Sequence, residues 1–552
     1  MGTSIGTCAP LKCLRPLLRP RTRPNTQAAS SAYLRFYSAA QAQIEPRIGT
    51  STSVTERNTS DLYPRIKPEE VATTCKDFCK RYGNLRREET GIDEVVIRGR
   101  IWSFRTAGSK LAFVDLFQDN YKVQYVLNYD KIADAVRNPA TFDDCFGSLR
   151  RGNILSVKGV PHRTSRNQLS VLATELPQLL SLCSQPLPED LKDRETRMRN
   201  RHVDLLLNPR LSDTIRLKAR ITQFLREYLL DHGHVEVQTP ILSDTVGGAI
   251  ARPFTTTATE TRDRKISLRI APELWLKRLI LGGFERVFEI GPSFRNEGID
   301  LNHNPEFTTC EFYRTYTGLE ELMSMTETML ARLSRVVSTT IQYECRNIMP
   351  QQIDFSPPYS SLDFIPAIET AIGRSLPNLT SQEAKSELLA LFDAQGITRP
   401  SSPTVPRLLD KLSSTYLEPQ CERPTWIINH PECLSPLSKS FNHPNNQQRV
   451  AARAELFIKK QELVNTYEEE NSPTVQRGKF VEQLSYRADD LETVVNESYL
   501  QALEWGLPPT GGWGCGIERL CMLFAGTNRI ADVLSFGTLR NVVARPQSSR
   551  NA

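Results

Sequence analysis

The chain has 552 residues, too many for one hydrophobic core of ordinary size, so two folded domains with appendages are expected. Its 69 basic and 63 acidic residues nearly balance, and no apolar run reaches about eighteen residues, which removes a spanning helix and any reason to expect a membrane partner. Twelve cysteines are scattered without a Cys-x-x-Cys pair. They read as reduced, mostly buried thiols, Cys75 and Cys79 standing one turn apart on an expected helix, and not as ligands of a structural metal.

The first 44 residues carry Lys12, Arg15, Arg19, Arg21, Arg23 and Arg35, many small and hydroxylated residues, and no acid. That is transit-peptide composition, while Pro10, Pro16, Pro20 and Pro24 break any apolar stretch a secretory signal would need. Around Arg35-Phe-Tyr-Ser38 the sequence resembles a matrix-protease site, so cleavage after Tyr37 and a mitochondrial matrix destination are expected. A basic tail that touches RNA directly is the alternative. The six leader charges equal the whole formal net charge of +6, so nucleic-acid contacts in the remainder must come from local patches.

Residues 38–90 read as an extension with one helix from Pro68 to about Gly83. From Ile92 the apolar period becomes two, and five short strands with a helix-like insertion near 130–137 suit a small Greek-key barrel over 91–182. That stretch holds twelve basic and nine acidic side chains, with Phe104, Phe113 and Tyr125 interleaved among Arg98, Arg105 and Lys122. Rings stack on bases while cations hold phosphates. A charged, proline-containing linker, 183–210, leads to an amphipathic helix from Leu211 to His232. A second domain then alternates strand and helix patterns over 211–545, with an insertion at about 350–425 and a tail at 546–552.

Three separated segments of that domain carry chemistry. One is the long helix followed by His234-Val-Glu-Val-Gln-Thr-Pro240, which alone is compatible with plain core. Another, from Arg286 to Tyr313, pairs two β-patterned runs through a polar loop. Alternation puts Ser293, Arg295 and Glu297 on one side of its first strand and Phe307, Thr309, Glu311 and Tyr313 on one side of the second, a polar pocket floor. In the last, Gly512, Gly514 and Gly516 leave one strand face bare for a close neighbour, and a helix follows with Arg519 near its N-terminus, where anions are favoured. Phosphates need fixed cations, and Arg295 with Arg519 could clamp a bent triphosphate from two sides. Glu455 and Glu462 flank the tight Lys459-Lys-Gln461 turn, and the odd spacing from Glu462 to Asn465 calls for a bulge if both are to share a face.

In this order the segments resemble the three signature motifs of class II aminoacyl-tRNA synthetases, over residues 70–545. Phe294-Arg-Asn-Glu-Gly-Ile-Asp300, His303-Asn-Pro-Glu-Phe-Thr308, Arg269-Ile-Ala-Pro-Glu273, Ser435-Pro-Leu-Ser-Lys439 and Glu462-Leu-Val-Asn-Thr-Tyr-Glu-Glu469 are similar to the lysyl-tRNA synthetases in particular. The resemblance implies an α+β chain, an N-terminal OB-fold β-barrel followed by the class II antiparallel sheet flanked by helices. It implies a lysine–tRNA ligase that consumes ATP with Mg²⁺, binds tRNA(Lys), and dimerises through the first motif. Carried over residue by residue, Arg295 and Arg519 are catalytic. Arg295, Glu297, His303, Asn304, Phe307 and Arg519 bind ATP. Gly248, Glu273, Glu311, Tyr313, Asn465, Tyr467 and Glu469 bind lysine, and Glu455 and Glu462 hold the metal. Arg105, Phe113, Gln124 and Gln168 read the anticodon, Gln168 standing where the family has a glutamate.

Other departures are Gly537 for a proline, Glu518 for an aspartate and Glu470 for an apolar residue. The alternatives are an aspartyl or asparaginyl ligase of the same fold, whose substrates Glu311 and Glu469 would disfavour, and a non-catalytic RNA-binding protein, which would be expected to have lost one of these ligands.

Overall fold

The computed structural model describes residues 62–66, 71–133, 136, 139–244, 247–248, 251–261, 264–486 and 495–543; the leader, Pro68-Glu-Glu70 and the tail lie outside them. The chain divides into two compact units, Met1–Leu187 and Pro188–Ala552.

In the first unit, the strands β1 (Val95–Thr106), β2 (Leu111–Gln118), β3 (Tyr121–Asn128), β4 (Ile154–Arg163) and β5 (Leu169–Ala173) pair in the order β1-β2-β3-β5-β4, and β4 returns to β1 to close the barrel. Alternation drives the closure: Val95, Ile97 and Ile101 point inward along β1, as do Ala112, Val114 and Leu116 along β2. Asp119 and Asn120, both at positive φ, make the two-residue turn between β2 and β3, the geometry that matches strand twist. A further strand, β6 (Gln178–Ser181), adds to β4 where sequence alone points to none. The helix α1 (Cys75–Tyr82) starts later than expected, because Thr73 bridges to Ile97 in extended form and Thr74 caps the helix through Asp77 N–H. Tyr125, expected among the base-stacking rings, is wholly buried and donates to the Glu175 carbonyl at 3.0 Å, so it belongs to the barrel core.

The second unit is built on an eight-stranded sheet of β7 (Val235–Glu236), β8 (Arg286–Phe294), β9 (Glu306–Thr315), β10 (Ser360–Asp363), β11 (Thr425–Ile428), β12 (Arg453–Ile458), β13 (Gln461–Glu468) and β14 (Thr510–Gly516). Its order is β10-β11-β12-β13-β14-β9-β8-β7, antiparallel except at the two outermost pairings. Three helices, α2 (Pro209–Asp231), α4 (Leu319–Tyr343) and α5 (Ile517–Ala525), cover one face; α3 (Glu273–Leu281) comes between α2 and α4 in sequence. Leu217, Ile221, Leu330, Leu333 and Leu520 pack there against Phe312, Leu456 and Trp513. Trp513 alternates with Gly512 and Gly514, so one face of β14 is core and the other is bare.

The expected linker 183–210 contains structure of its own. Residues Arg194–Arg199 and Arg201–Leu207 are helical, and the buried Arg201 guanidinium donates to the carbonyls of Ala531, Leu534 and Ser535. The expected insertion 350–425 supplies β10 and the first residue of β11 to the main sheet, and three helices between them form a core of their own. The sequence departures have local reasons. Glu470 pairs with the buried Lys479 at 3.0 Å and accepts the Ser472 N–H, and Gly537 has φ of +79°, which proline cannot adopt.

Candidate active site

The pocket floor is set by register. Strand β14 lies between β9 and β13, which puts Tyr313 and Tyr467 opposite Gly512, and Glu311 and Asn465 opposite Gly514. Cross-strand partners share a face, so four polar side chains flank a strip without side chains. A Cβ on Gly512 would stand 1.9 Å from Glu469 Oε1 and 2.8 Å from the Tyr313 ring, so the glycine is a steric condition for that carboxylate. From α3, Glu273 accepts from the Tyr467 hydroxyl at 2.7 Å, and Gly248 packs against Glu273. The structure thus brings Gly248, Glu273, Glu311, Tyr313, Asn465, Tyr467 and Glu469 together along β14, with Asn465 Oδ1 accepting from Arg453 at 2.9 Å.

Sequence alone does not point to Lys277, a turn after Glu273 on α3. Its ammonium is fully buried, 2.6 Å from Glu273 Oε1 and in direct contact with Glu469 Oε2. The one sequence signal is a lysine spaced i, i+4 from a glutamate among apolar neighbours, a pattern more common on helix surfaces. Burial works against its charge, yet Glu273 and Glu469 hold the pKa above the ordinary value for lysine. The carboxylates respond oppositely. Burial, with Glu273 beside it, pushes Glu311 up to about 8, and burial raises Glu469 well above the usual carboxylate range. Glu469 Oε1 is buried and has no hydrogen-bond partner.

The other end of the cleft carries the cations. The Arg295 guanidinium sits 5.2 Å from the centroid of Phe307 and donates to the Ile270 carbonyl. From the first turns of α5, Arg519 donates to Glu462 Oε2 at 3.0 Å and approaches His303 Nε2 at 3.0 Å. A guanidinium has no lone pair, so His303 Nε2 accepts and its Nδ1–H donates to Asp300 at 2.8 Å, the neutral tautomer. This chain ties the polar loop of the second segment to the arginine of the third. Glu297 is exposed, and both polar ends of Asn304 bond to backbone, at Leu539 N–H and the Glu306 carbonyl.

The hairpin of β12 and β13 contains the bulge that spacing demands: Leu456 pairs with Val464 and Phe457 with Glu462, leaving Leu463 as the extra residue. Glu455 is held by Arg453 and by His430 at 3.1 Å; despite burial these two partners bring its carboxyl down to about 2. Among the described residues no group of three or more metal-ligating side chains gathers. Two carboxylates, Glu455 and Glu462, that leave other positions to phosphate and water still fit the way Mg²⁺ is usually bound.

In the first unit, Arg105 lies opposite Phe113 with its guanidinium 4.9 Å from the ring centroid. Gln124 is buried, and its Oε1 accepts from Ser170 at 3.1 Å, a partner that sequence alone does not single out. Gln168 is exposed at the end of the β4–β5 connection, its carbonyl 3.2 Å from the same hydroxyl.

A largely antiparallel sheet that gathers three distant polar segments into one cleft, in a chain that also carries an OB-type barrel, defines a class II aminoacyl-tRNA synthetase. The family described as tRNA synthetases class II (D, K and N) matches residues 193–540, and the OB-fold nucleic acid binding domain matches residues 95–179. The chain belongs to the class II (D, K and N) tRNA synthetases. It is 38% identical over 515 residues to the mitochondrial lysine–tRNA ligase of Schizosaccharomyces pombe, covering 92% of this chain and 95% of that one. It is 35% identical over 523 residues to the mitochondrial lysine–tRNA ligase of Saccharomyces cerevisiae, 89% of each. To the probable cytoplasmic lysine–tRNA ligase of Encephalitozoon cuniculi it is 39% identical over 494 residues, 87% of this chain and 94% of that one.

As a ligand of a cationic amino acid, Glu311 would make binding depend on pH. Its proton must leave before it can pair with an ammonium, so lysine affinity should rise with pH up to about 8 and then level off until lysine's own ammonium titrates near pH 10. Calorimetry in buffers of different ionisation enthalpy should show proton release near pH 7. Glu311→Gln should weaken lysine by about a hundredfold and flatten the profile; a flat profile in the parent protein would remove Glu311 from the pocket.

Proposed function

We propose that this chain is a lysine–tRNA ligase that activates lysine with ATP and transfers it to the 3′ adenosine of tRNA(Lys) in the mitochondrial matrix. The observation that carries the reading is the convergence of Glu273, Glu311 and Glu469 on a glycine-floored pocket, in a chain similar to lysine–tRNA ligases along most of its length. A desolvated ammonium requires such carboxylates, whereas an aspartate side chain would meet like charge and an asparagine side chain would leave them without a cation.

Lysine's ε-ammonium pairs with Glu311 and Glu469 beside the Tyr313 hydroxyl, while Glu273 and Asn465 hold the α-amino and carboxylate end. The carboxylate is already a nucleophile, so activation needs orientation rather than a base: it attacks the α-phosphorus of ATP in line and displaces pyrophosphate. Arg295 and Arg519 fix the phosphates and balance the charge that builds on them. Phe307 stacks the adenine. Glu455 and Glu462 would hold Mg²⁺, which supplies further neutralisation of phosphate charge. A hydroxyl of the terminal adenosine then attacks the lysyl-adenylate carbonyl and AMP leaves.

Pyrophosphate exchange measured with each of the twenty amino acids tests the activity: lysine alone should support it, and exchange with aspartate or asparagine instead would overturn the reading. The first-motif helix α2 is the proposed seam of a homodimer, and sedimentation as a single copy would exclude it. The matrix assignment rests on the basic, acid-free first 44 residues, supported by the likeness to two mitochondrial ligases. Those residues fused to a reporter should carry it into mitochondria and be trimmed near Tyr37, whereas an uncut cytosolic reporter would refute the leader.

The barrel reads the anticodon through Phe113, which stacks on the central uridine, Arg105 beside it, and Gln124. With its oxygen engaged by Ser170, Gln124 offers the base its NH₂ group. Gln168 is neutral and can both accept and donate, whereas a glutamate could only accept, through a bond roughly twice as strong. Gln168→Glu should therefore increase discrimination between transcripts with uridine and cytidine at the central position. Equal discrimination by parent and variant would show that Gln168 does not face that base.

A further inference from the structure

The pocket holds an ammonium before any substrate arrives. Lys277 Nζ is enclosed by the rings of Tyr313, Tyr467 and Tyr499, with centroids 5.8 to 6.0 Å away, and touches one oxygen of Glu273 and one of Glu469. The third carboxylate has one oxygen engaged as well, Glu311 Oε2 facing the Tyr313 hydroxyl at 3.4 Å. Tyr467 adds a second donor to the same Glu273 oxygen that Lys277 contacts. Each carboxylate thus has one oxygen claimed from within the protein, and Glu469 Oε1, over the glycine floor, is the buried one without a donor.

The geometry of the two natural long cations makes this matter. A primary ammonium is a compact charge that can meet several single oxygens in different directions. A guanidinium is a planar fork that binds best when both oxygens of one carboxylate face it together. We propose that Lys277 is a specificity-determining residue that rejects arginine: by occupying Glu469 Oε2 and Glu273 Oε1 it denies a guanidinium both oxygens of either carboxylate, while the Tyr313 hydroxyl faces one oxygen of Glu311, and single acceptors suited to lysine are left. The proposal rests on the reading of this pocket as the lysine site. It differs from ordinary charge balance, because any buried cation would neutralise the carboxylates, whereas the outcome here depends on which oxygens are blocked.

The test compares pyrophosphate exchange with lysine and with arginine in the full-length protein. In Lys277→Met, lysine activation should fall while the ratio of arginine to lysine kcat/KM rises by about tenfold or more. Because Lys277→Met leaves buried carboxylates without their cation and could fail to fold, the double variant Lys277→Met with Glu273→Gln removes one charge of each sign. Glu273→Gln alone is the reference for that pair, and the double variant should raise the ratio over it. An unchanged ratio in Lys277→Met and in the double variant would overturn the role of Lys277. Glu469→Gln separates the two readings: if it activates lysine like the parent, the pocket assignment itself fails, and if it loses lysine while the ratios stay flat, only the inference about Lys277 fails.

Discussion

An ammonium taken out of water must be met by charge, and the second unit is organised around that demand. Three glutamates in a buried space would repel one another if all were ionised, and the pocket relieves the repulsion with Lys277 and by letting Glu311 and Glu469 hold protons more firmly than carboxylates usually do. The glycines follow from the same demand. Glu469 reaches the centre only because β14 has no Cβ at Gly512, and the flanking strands can aim Glu311, Tyr313, Asn465 and Tyr467 at that strip only because both pair with β14 in one register. Replacing the pocket by apolar residues would be easier for folding, which supports the proposed role of its charges in recognition.

The proposed phosphate end is arranged on the complementary principle. Its cations are parked on weak or replaceable partners: Arg519 on Glu462 and a neutral histidine, Arg295 on a ring face and one carbonyl. A triphosphate can take these arginines without leaving a deeply buried acid orphaned, because Glu462 is partly exposed. Glu455 differs, being fixed between Arg453 and His430 and charged at any physiological pH. A site that must exchange ligands at every turnover needs one anion always ready and one cation easily released.

Much of this was legible in the sequence, for physical reasons. Period-two alternation marked the barrel strands and the paired runs around Arg295 and Glu311, and the odd spacing between Glu462 and Asn465 required the bulge that leaves Leu463 unpaired. Local pattern could not show what depends on distant packing. Tyr125 reads like a base-stacking ring, but its hydroxyl finds a carbonyl fifty residues away inside the core. Lys277 looks like one more helix-surface lysine, and its burial follows only once β13 brings Glu469 against α3. Arg201 sits in a stretch whose composition suggests a linker, and its partners lie more than 300 positions downstream.

The same distance explains how segments so far apart act together. Glu518, on α5 directly before Arg519, ion-pairs with Lys218 of α2 at 2.6 Å and accepts both the backbone N–H and the hydroxyl of Thr308 on β9 at 2.9 Å. One buried carboxylate thereby joins all three chemical segments behind the cleft. Each of its bonds is charge-assisted, so the junction resists shear in every direction that would separate the arginine of the third segment from the strand of the second. The glutamate is one methylene longer than the family's usual aspartate, which suits a junction that must span from a helix to a strand and to another helix at once. The placement of Arg519 beside β9 is therefore a property of the framework, held by Glu518.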